Sequence, residues 1–219
     1  MNKTNHREQI AILSESEGVF TTAQAERSGI PRDALHDAVE SGRLERVLRG
    51  AYRMIGSGSS YTDELAAVWK LTNPAKYSHE RMQPEGWDGV VVGGSTAASL
   101  LGIGDFHLSP YRLFAPRRIN SRNPSTHFSQ REMGRADVSF ASGLPVTRPE
   151  RTVVDLVLDD EDSSLVADAL HDAAHADREF DFERVRSLLV EALGPVRGER
   201  AYRALLDESG IAEEGREER

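Results

Sequence analysis

Three observations in the 219-residue sequence predict an α+β protein with two domains. Two short helical segments and a hairpin pattern follow one another within residues 19–55. Between residues 89 and 147, short apolar runs alternate with turn residues, which is typical of strands. From Ser163 to Leu206, apolar residues recur at helical spacing. We therefore predict a small N-terminal helix-and-hairpin domain followed by a mixed α+β domain with a helical C-terminal part.

The stretch from Val19 to Ile55 predicts a helix, a turn, a second helix and a hairpin. Thr21 and Thr22 stand at the start of the first helix, where a hydroxyl accepts a hydrogen bond from a free backbone amide. Gly29 ends this helix. Pro31 starts the next one, because its fixed φ suits the first helical turn. An earlier helix over residues 5–17 is expected to pack behind this pair.

The second helix has one apolar stripe and one polar face. The stripe consists of Ala34, Leu35, Ala38 and Val39. The polar face consists of Arg32, Asp33, His36, Asp37 and Glu40. A turn at Arg49-Gly50 then predicts a hairpin over residues 43–54, which we call the wing. Two short helices joined by a glycine turn and followed by such a hairpin are typical of a winged helix-turn-helix, whose second helix enters the major groove of DNA.

Basic residues cluster on the wing, against Glu45 alone: Arg43, Arg46, Arg49 and Arg53. Such arginines can follow a phosphate backbone or reach a minor groove, although a solvated hairpin edge would show the same pattern. The acidic residues of the second helix repel phosphates. We therefore expect Arg32 and His36 to supply sequence preference and the wing to supply much of the affinity. Thr22 completes the candidate DNA-binding set.

The segment TTAQAERSGIPRDALHDAVESGRLERVLRGAYRM resembles the N-terminal domain of AbiEi-type antitoxins from prokaryotic type IV toxin–antitoxin systems. GLPVT followed by RPERTVVDL is similar to the C-terminal domain of that family, so the resemblance covers most of residues 5–158. It implies a DNA-binding antitoxin that represses its own operon and counteracts a nucleotidyltransferase-like toxin encoded beside it. In the family, the second domain is associated with antitoxin function.

Composition and charge limit the other functions. The sequence has no cysteine, which excludes disulfides, thiolate zinc sites and cysteine nucleophiles. Its net charge is −9, with a net of 0 in residues 1–56, +2 in 57–149 and −11 in 150–219. DNA affinity depends on local phosphate neutralisation, so an acidic C-terminal third still allows the N-terminal domain to bind. With no signal peptide and no long apolar run, we expect a cytoplasmic protein without a membrane segment.

Domain boundaries follow from the small polar residues GSGSS at 56–60. We predict a winged-helix domain over 1–56, a hinge at 57–60, an α+β antitoxin domain over 61–208 and a flexible acidic tail over 209–219. A helix beginning at Thr62 or Asp63 is assigned to the second domain. An arginine-rich stretch over 111–135 contains the candidate contacts of that domain with the toxin or another acidic partner, with solvated loop charge as the alternative: Arg112, Arg117 and Arg118.

Three patterns in the second domain suggest enzymatic or ligand sites. The glycine turn before Ser95 could cradle a phosphate, but it lacks the Lys-Ser/Thr of a P-loop. The same turn followed by Asp105 resembles the opening of a nucleotidyltransferase site, with one carboxylate where two would hold metal. His171 and His175 in HDAAH approach a zinc-peptidase motif but lack its glutamate base and a third ligand. We therefore predict no catalytic residue, no metal and no cofactor.

The expected partners are double-stranded DNA, as the operator of its own operon, and the toxin, either contacted directly or counteracted indirectly. The protein is not expected to be an enzyme. Two alternatives stay open from the sequence. One is a stand-alone winged-helix repressor whose second domain binds a ligand, and the other is a degenerate nucleotidyltransferase.

Overall fold

The computed structural model describes residues 3–56, 60–121 and 123–211. The chain divides into two compact units, Met1–Asp88 and Gly89–Arg219, which we call the N-terminal and C-terminal units. Three parts of the sequence-based predictions fall outside the described residues. They are residues 57–59 of the hinge, Arg122 of the arginine-rich stretch, and residues 212–219 of the tail.

The N-terminal unit has the predicted winged helix-turn-helix order. Its elements are α1 (Lys3–Glu17), β1 (Phe20–Thr21), α2 (Thr22–Arg27), α3 (Arg32–Glu40), β2 (Leu44–Leu48), β3 (Ala51–Met54), α4 (Asp63–Leu71), α5 (Ser78–Met82) and a 3-10 turn (Pro84–Gly86). The strands form an antiparallel sheet in the order β1-β3-β2. A core between the helices and the sheet contains Ile10, Leu13, Phe20, Ile30, Leu35 and Leu44.

Local sequence explains the two helices of the motif. The Thr21 hydroxyl accepts a hydrogen bond from the Gln24 amide, and the Gln24 side chain accepts one from the Thr21 amide, so a capping box starts α2. Gly29 lies at φ +79°, a conformation that favours glycine, in the turn after α2. Pro31 is the N-cap of α3, so that helix begins one residue later than predicted.

The helix α4 belongs to the N-terminal unit, whereas the sequence-based prediction assigned it to the second domain. It packs against β1 and β2, and Leu65, Ala67 and Trp69 are buried. The division between the compact units therefore lies after Asp88 rather than at 57–60. Glycine and serine content marks a loop, but it does not reveal whether the next apolar helix packs backward or forward along the chain. A fragment beginning near Tyr61 would separate α4 from the sheet that it covers.

A buried carboxylate joins four parts of the N-terminal unit. Glu17, at the end of α1, forms an ion pair with Lys70 of α4, and the two side chains are 3% and 5% exposed. Glu17 also accepts hydrogen bonds from the Ser78 hydroxyl at 2.7 Å and from the Gln24 side-chain amide at 3.2 Å. Burial lowers the pKa of Lys70, and Glu17 opposes that shift. The pair therefore holds α1, α2, α4 and α5 together.

The segment after α4 lies against α2. Arg27 of α2 binds Glu80 through two N–H···O contacts of 2.6 Å, and the Gln24 side chain donates to the Lys76 carbonyl at 2.8 Å. The hydrogen bonds from Arg27 lower the pKa of Glu80 from 4.5 to about 2. This contact is therefore fully present above the ordinary pKa of Glu80 and is lost as the pH falls through about 2.

The C-terminal unit is the mixed α+β part with a helical end. Its elements are β4 (Val91–Val92), α6 (Gly94–Leu101), β5 (Tyr111–Ala115), β6 (Thr126–Gln130), a 3-10 turn (Arg135–Asp137), β7 (Val138–Ala141), β8 (Leu144–Thr147), α7 (Pro149–Leu158), α8 (Ser163–Ala176), α9 (Phe182–Leu193) and α10 (Pro195–Ser209). The sheet order is β6-β5-β4-β8-β7. The pairs β4–β8 and β5–β6 are parallel, and the other two pairs are antiparallel.

The four C-terminal helices share one apolar core with α6, including Val153, Leu170, Leu189 and Leu206. Ile211 packs against this core, so the ordered part extends past the predicted boundary at 208. Of the helices in the described residues, none is long and apolar enough to span a membrane.

We predict that Glu17→Gln lowers the free energy of unfolding by about 3 to 5 kcal/mol, because it leaves Lys70 buried without a carboxylate. The second substitution Lys70→Met should restore more than half of this loss. Both tryptophans, Trp69 and Trp87, lie in the N-terminal unit, so urea unfolding followed by their fluorescence reports on this unit. The exposed neighbour Glu15→Gln is the control, with an expected change below about 0.5 kcal/mol. Equal effects of Glu15→Gln and Glu17→Gln would contradict the prediction.

Candidate nucleic-acid interface

The tip of the wing lies at the N-terminus of α2. The Thr22 amide donates a hydrogen bond to the Gly50 carbonyl at 2.9 Å, and the Thr22 hydroxyl is 3.4 Å from the same oxygen. Arg49 and Gly50 form the two-residue turn, as predicted, and Gly50 adopts φ +89°. Thr22 thus positions the wing relative to the helix-turn-helix through its backbone and side chain.

Two wing arginines point into solvent. Arg46 on β2 and Arg49 at the turn are both exposed, and neither forms a hydrogen bond or ion pair with another residue that the structure describes. A β-bulge lies between Arg46 and Leu48 and increases the local twist of the hairpin. These two side chains are therefore available to an external anion.

The other two wing arginines are engaged within the protein. Arg43 is half-buried, and its Nε donates to the Ser41 hydroxyl at 2.9 Å. The Arg53 side chain is 12% exposed and lies between Glu45 and Asp63, with its Nε 3.4 Å from the Asp63 carboxylate. Arg53 was placed in the candidate DNA-binding set, but in the structure its charge is neutralised by two carboxylates.

The outer face of α3 is acidic on balance. Arg32 is 76% exposed and forms an ion pair with Glu26 of α2, with 2.6 Å between Nε and Oε1. His36 is exposed on the same face. The face also carries three exposed carboxylates: Asp33, Asp37 and Glu40. A nucleic acid that approaches α3 therefore meets negative charge unless Arg32 leaves Glu26.

The candidate contacts in the C-terminal unit fall into two groups. Arg112 on β5 is half-buried, with its NH2 atom 3.4 Å from Glu161 and its NH1 atom 3.9 Å from Asp159. Arg117 and Arg118 follow β5, and both are exposed and form no ion pair or hydrogen bond with other described residues. Only the latter two are free to meet a partner.

The RPERTVVDL motif has a structural role. Arg151 and Asp155 form the predicted ion pair across one turn of α7, at 2.6 Å, and Asp155 is fully buried. Burial raises the pKa of Asp155, and the hydrogen bonds from Arg151 oppose this shift. Arg131 also binds Asp155 and stacks on Phe114 at 4.3 Å. The sequence placed Arg131 in a solvated stretch, although a buried carboxylate on an apolar helix face indicates a need for a second cation.

The glycine turn before α6 is explained by packing. A Cβ added at Gly93 would lie 1.9 Å from the Phe114 ring, and one at Gly94 would lie 3.1 Å from the Asp159 carboxylate. That carboxylate stands beside the helix N-terminus, where a phosphate would have to bind. Asp105 is exposed on the loop after α6.

The two histidines of HDAAH form a local contact. Their rings stack with centroids 4.1 Å apart, and the His175 Nδ1 lies 2.8 Å from the His171 carbonyl oxygen. Within residues 3–56, 60–121 and 123–211, no three acidic, histidine or cysteine side chains form a group that could hold a metal ion.

Comparison with known proteins supports the motif and the fold. Residues 8–55 match the family model described as "Transcriptional regulator, AbiEi antitoxin", which confirms the resemblance in the helix-turn-helix and wing. The solved structure of the RV2827C protein from Mycobacterium tuberculosis is similar, with a TM-score of 0.60 and 19% identity over 92% of this chain and 75% of that chain. At this identity the likeness shows the fold alone. No curated protein matches the chain.

We predict that Arg53→Ala and Arg49→Ala have different effects on the N-terminal unit. Arg53→Ala should lower its free energy of unfolding by about 1.5 to 3 kcal/mol, because Glu45 and Asp63 lose a charged hydrogen-bond donor. Arg49→Ala should change it by less than about 0.5 kcal/mol, because no described residue contacts that guanidinium. Urea unfolding followed by tryptophan fluorescence measures both values. Comparable losses in the two variants would show that Arg53 is not a structural residue.

Proposed function

We propose that this protein is a cytoplasmic, non-catalytic DNA-binding antitoxin. In this proposal the N-terminal unit represses transcription of the protein's own operon, and the C-terminal unit counteracts a nucleotidyltransferase-like toxin. The observation that carries the DNA-binding part is the pair Arg46 and Arg49, exposed and unengaged on the wing of a domain that matches an AbiEi regulator.

The wing supplies most of the affinity in this proposal. Phosphate contacts from arginines release counterions and give binding that weakens with salt. The N-terminus of α2 lies beside the wing tip, since Thr22 binds Gly50, and a helix N-terminus favours a nearby phosphate. Arg43, which is half-buried, supports the base of the wing and is a weaker candidate contact.

The helix α3 supplies sequence preference through Arg32 and His36. Arginine forms paired hydrogen bonds with guanine in the major groove. Arg32 can do so only after it leaves Glu26, because its Nε is now 2.6 Å from that carboxylate. The exposed Asp33, Asp37 and Glu40 oppose phosphate contacts of this helix, so it is suited to reading bases rather than to binding the backbone.

The first experiment replaces Arg46 and Arg49 with alanine in the full chain. Affinity for operator and random duplexes should fall alike, and the slope of log K against log salt should decrease by about 0.9 per lost phosphate contact, or nearly two in all. The control Arg197→Ala/Arg200→Ala removes the same charge from exposed positions of α10. Titrations of labelled duplexes at several salt concentrations measure the slopes. An unchanged slope in the wing variant would remove the wing from the interface.

The second experiment separates base reading from positioning. Arg32→Ala or His36→Ala should reduce the preference for operator over random DNA by about 1 to 3 kcal/mol. Competition between the two duplexes measures this preference. Glu26→Gln is the companion variant, and it should strengthen operator binding because it releases Arg32 and removes a negative charge. An equal loss on both duplexes in the alanine variants would mean that α3 only positions the protein.

A further inference from the structure

A crevice of about 850 Å³ opens at one end of the helical part of the C-terminal unit. It lies between the C-terminal ends of α8 and α10 and the start of α9, with the loop 177–181 along one side. None of the functions argued above uses it. We call it the acidic crevice.

Its rim is negatively charged from two sources. Four carboxylates line it against Arg178 alone: Asp177, Glu179, Asp181 and Glu183. The helices α8 and α10 also end here, at the C-caps Asp177 and Gly210. Each long helix presents about half a negative charge at its C-terminus. The carboxylate of Asp181 caps the N-terminus of α9 and so offsets the one helix end of opposite sign.

The floor of the crevice is apolar. Phe180 and Tyr202 are buried there, and Phe182 and Ile211 are half-buried. Phe180 and Phe182 pack edge to face, with ring centroids 5.0 Å apart. Lysine and arginine side chains combine an apolar stem with a charged end, and their charged groups are attracted to aromatic faces. A negative rim over an aromatic floor fits such side chains.

The charge of the whole unit supports the same kind of partner. Residues 89–219 carry 16 basic and 23 acidic residues, a net charge of −7. A basic protein surface would therefore be attracted before contact, and the open crevice lets a chain segment enter without rearrangement. Arg117 and Arg118 would instead favour an acidic partner, but they lie exposed on a loop with no cavity beside them among the cavities found in the described residues.

We propose that the acidic crevice binds a basic segment of the toxin, with lysine or arginine stems on the aromatic floor and their charges at the rim. This inference rests on the proposed function, since it names the surface by which the C-terminal unit counteracts the toxin. It requires direct contact between the two proteins.

The test reverses two rim charges in the full chain with Glu179→Lys/Glu183→Lys. Both side chains are exposed, and neither is a helix cap. The matched control Asp168→Lys/Glu191→Lys makes the same charge change on exposed positions of α8 and α9 outside the crevice. A third variant, Arg117→Glu/Arg118→Glu, tests the competing surface. Growth protection against the product of the adjacent toxin gene and the dissociation constant of the toxin complex are measured for each.

The crevice variant should bind the toxin at least tenfold more weakly and lose protection, while the other two variants behave as the wild type. Toxin binding by the wild type should weaken with salt, because rim charges act mainly on association. Circular dichroism and operator binding should stay unchanged in the crevice variant. If the reversal unfolds the unit, Glu179→Gln/Glu183→Gln should give a smaller loss of affinity in the same direction.

Three results would overturn the inference and leave the proposed function standing. They are full protection by the crevice variant, loss of protection only in the Arg117→Glu/Arg118→Glu variant, and protection by the wild type without a detectable toxin complex. Spermidine that stabilises the wild type but not the crevice variant, in the absence of toxin binding, would identify a small polycation as the occupant instead. Failure of the wild type to protect removes the antitoxin function itself, and the inference with it.

Discussion

The buried carboxylate of Glu17 is the contact on which the N-terminal unit depends. It lies at the end of α1 and receives donors from Gln24, Lys70 and Ser78, so four helices meet at one charge. Apolar packing alone is tolerant of small rotations, whereas hydrogen bonds to a buried charge are directional and costly to leave unmade. The orientation of α2 follows from this site, and the wing follows from α2 through the bond between Thr22 and Gly50.

Charge in the winged-helix motif is largely consumed inside the protein. Arg27, Arg32 and Arg53 each bind a carboxylate, and the hydrogen bond from Glu26 raises the pKa of Arg32 further. A count of basic residues therefore overstates the positive field near the wing, and what remains for an external anion is set by the few unengaged side chains. The same reasoning applies to the C-terminal unit, where arginines that look like a surface cluster in the sequence neutralise buried aspartates instead.

Local patterns predicted the local structure. The cap at Thr21, the turn at Arg49-Gly50 and the pair Arg151–Asp155 depend on residues within five positions of each other, so the sequence contains the whole interaction. The prediction failed where distant residues decide. Arg53 is neutralised partly by Asp63, and Arg131 reaches Asp155 from 24 residues away. The acidic crevice was also missed, because it forms only when the ends of α8 and α10 come together, and no spacing along the chain indicates this.

The position of α4 bears on how such a protein could be recombined. The family match stops at residue 55, yet the helix that covers the back of the sheet and supplies Lys70 begins at Asp63. A gene rearrangement that carried only the matched segment to a new partner would deliver a sheet with an open apolar side and a buried glutamate without its lysine. The portion that can move intact between proteins is the first 88 residues, so chimeras and evolutionary fusions of this motif should be joined after Asp88.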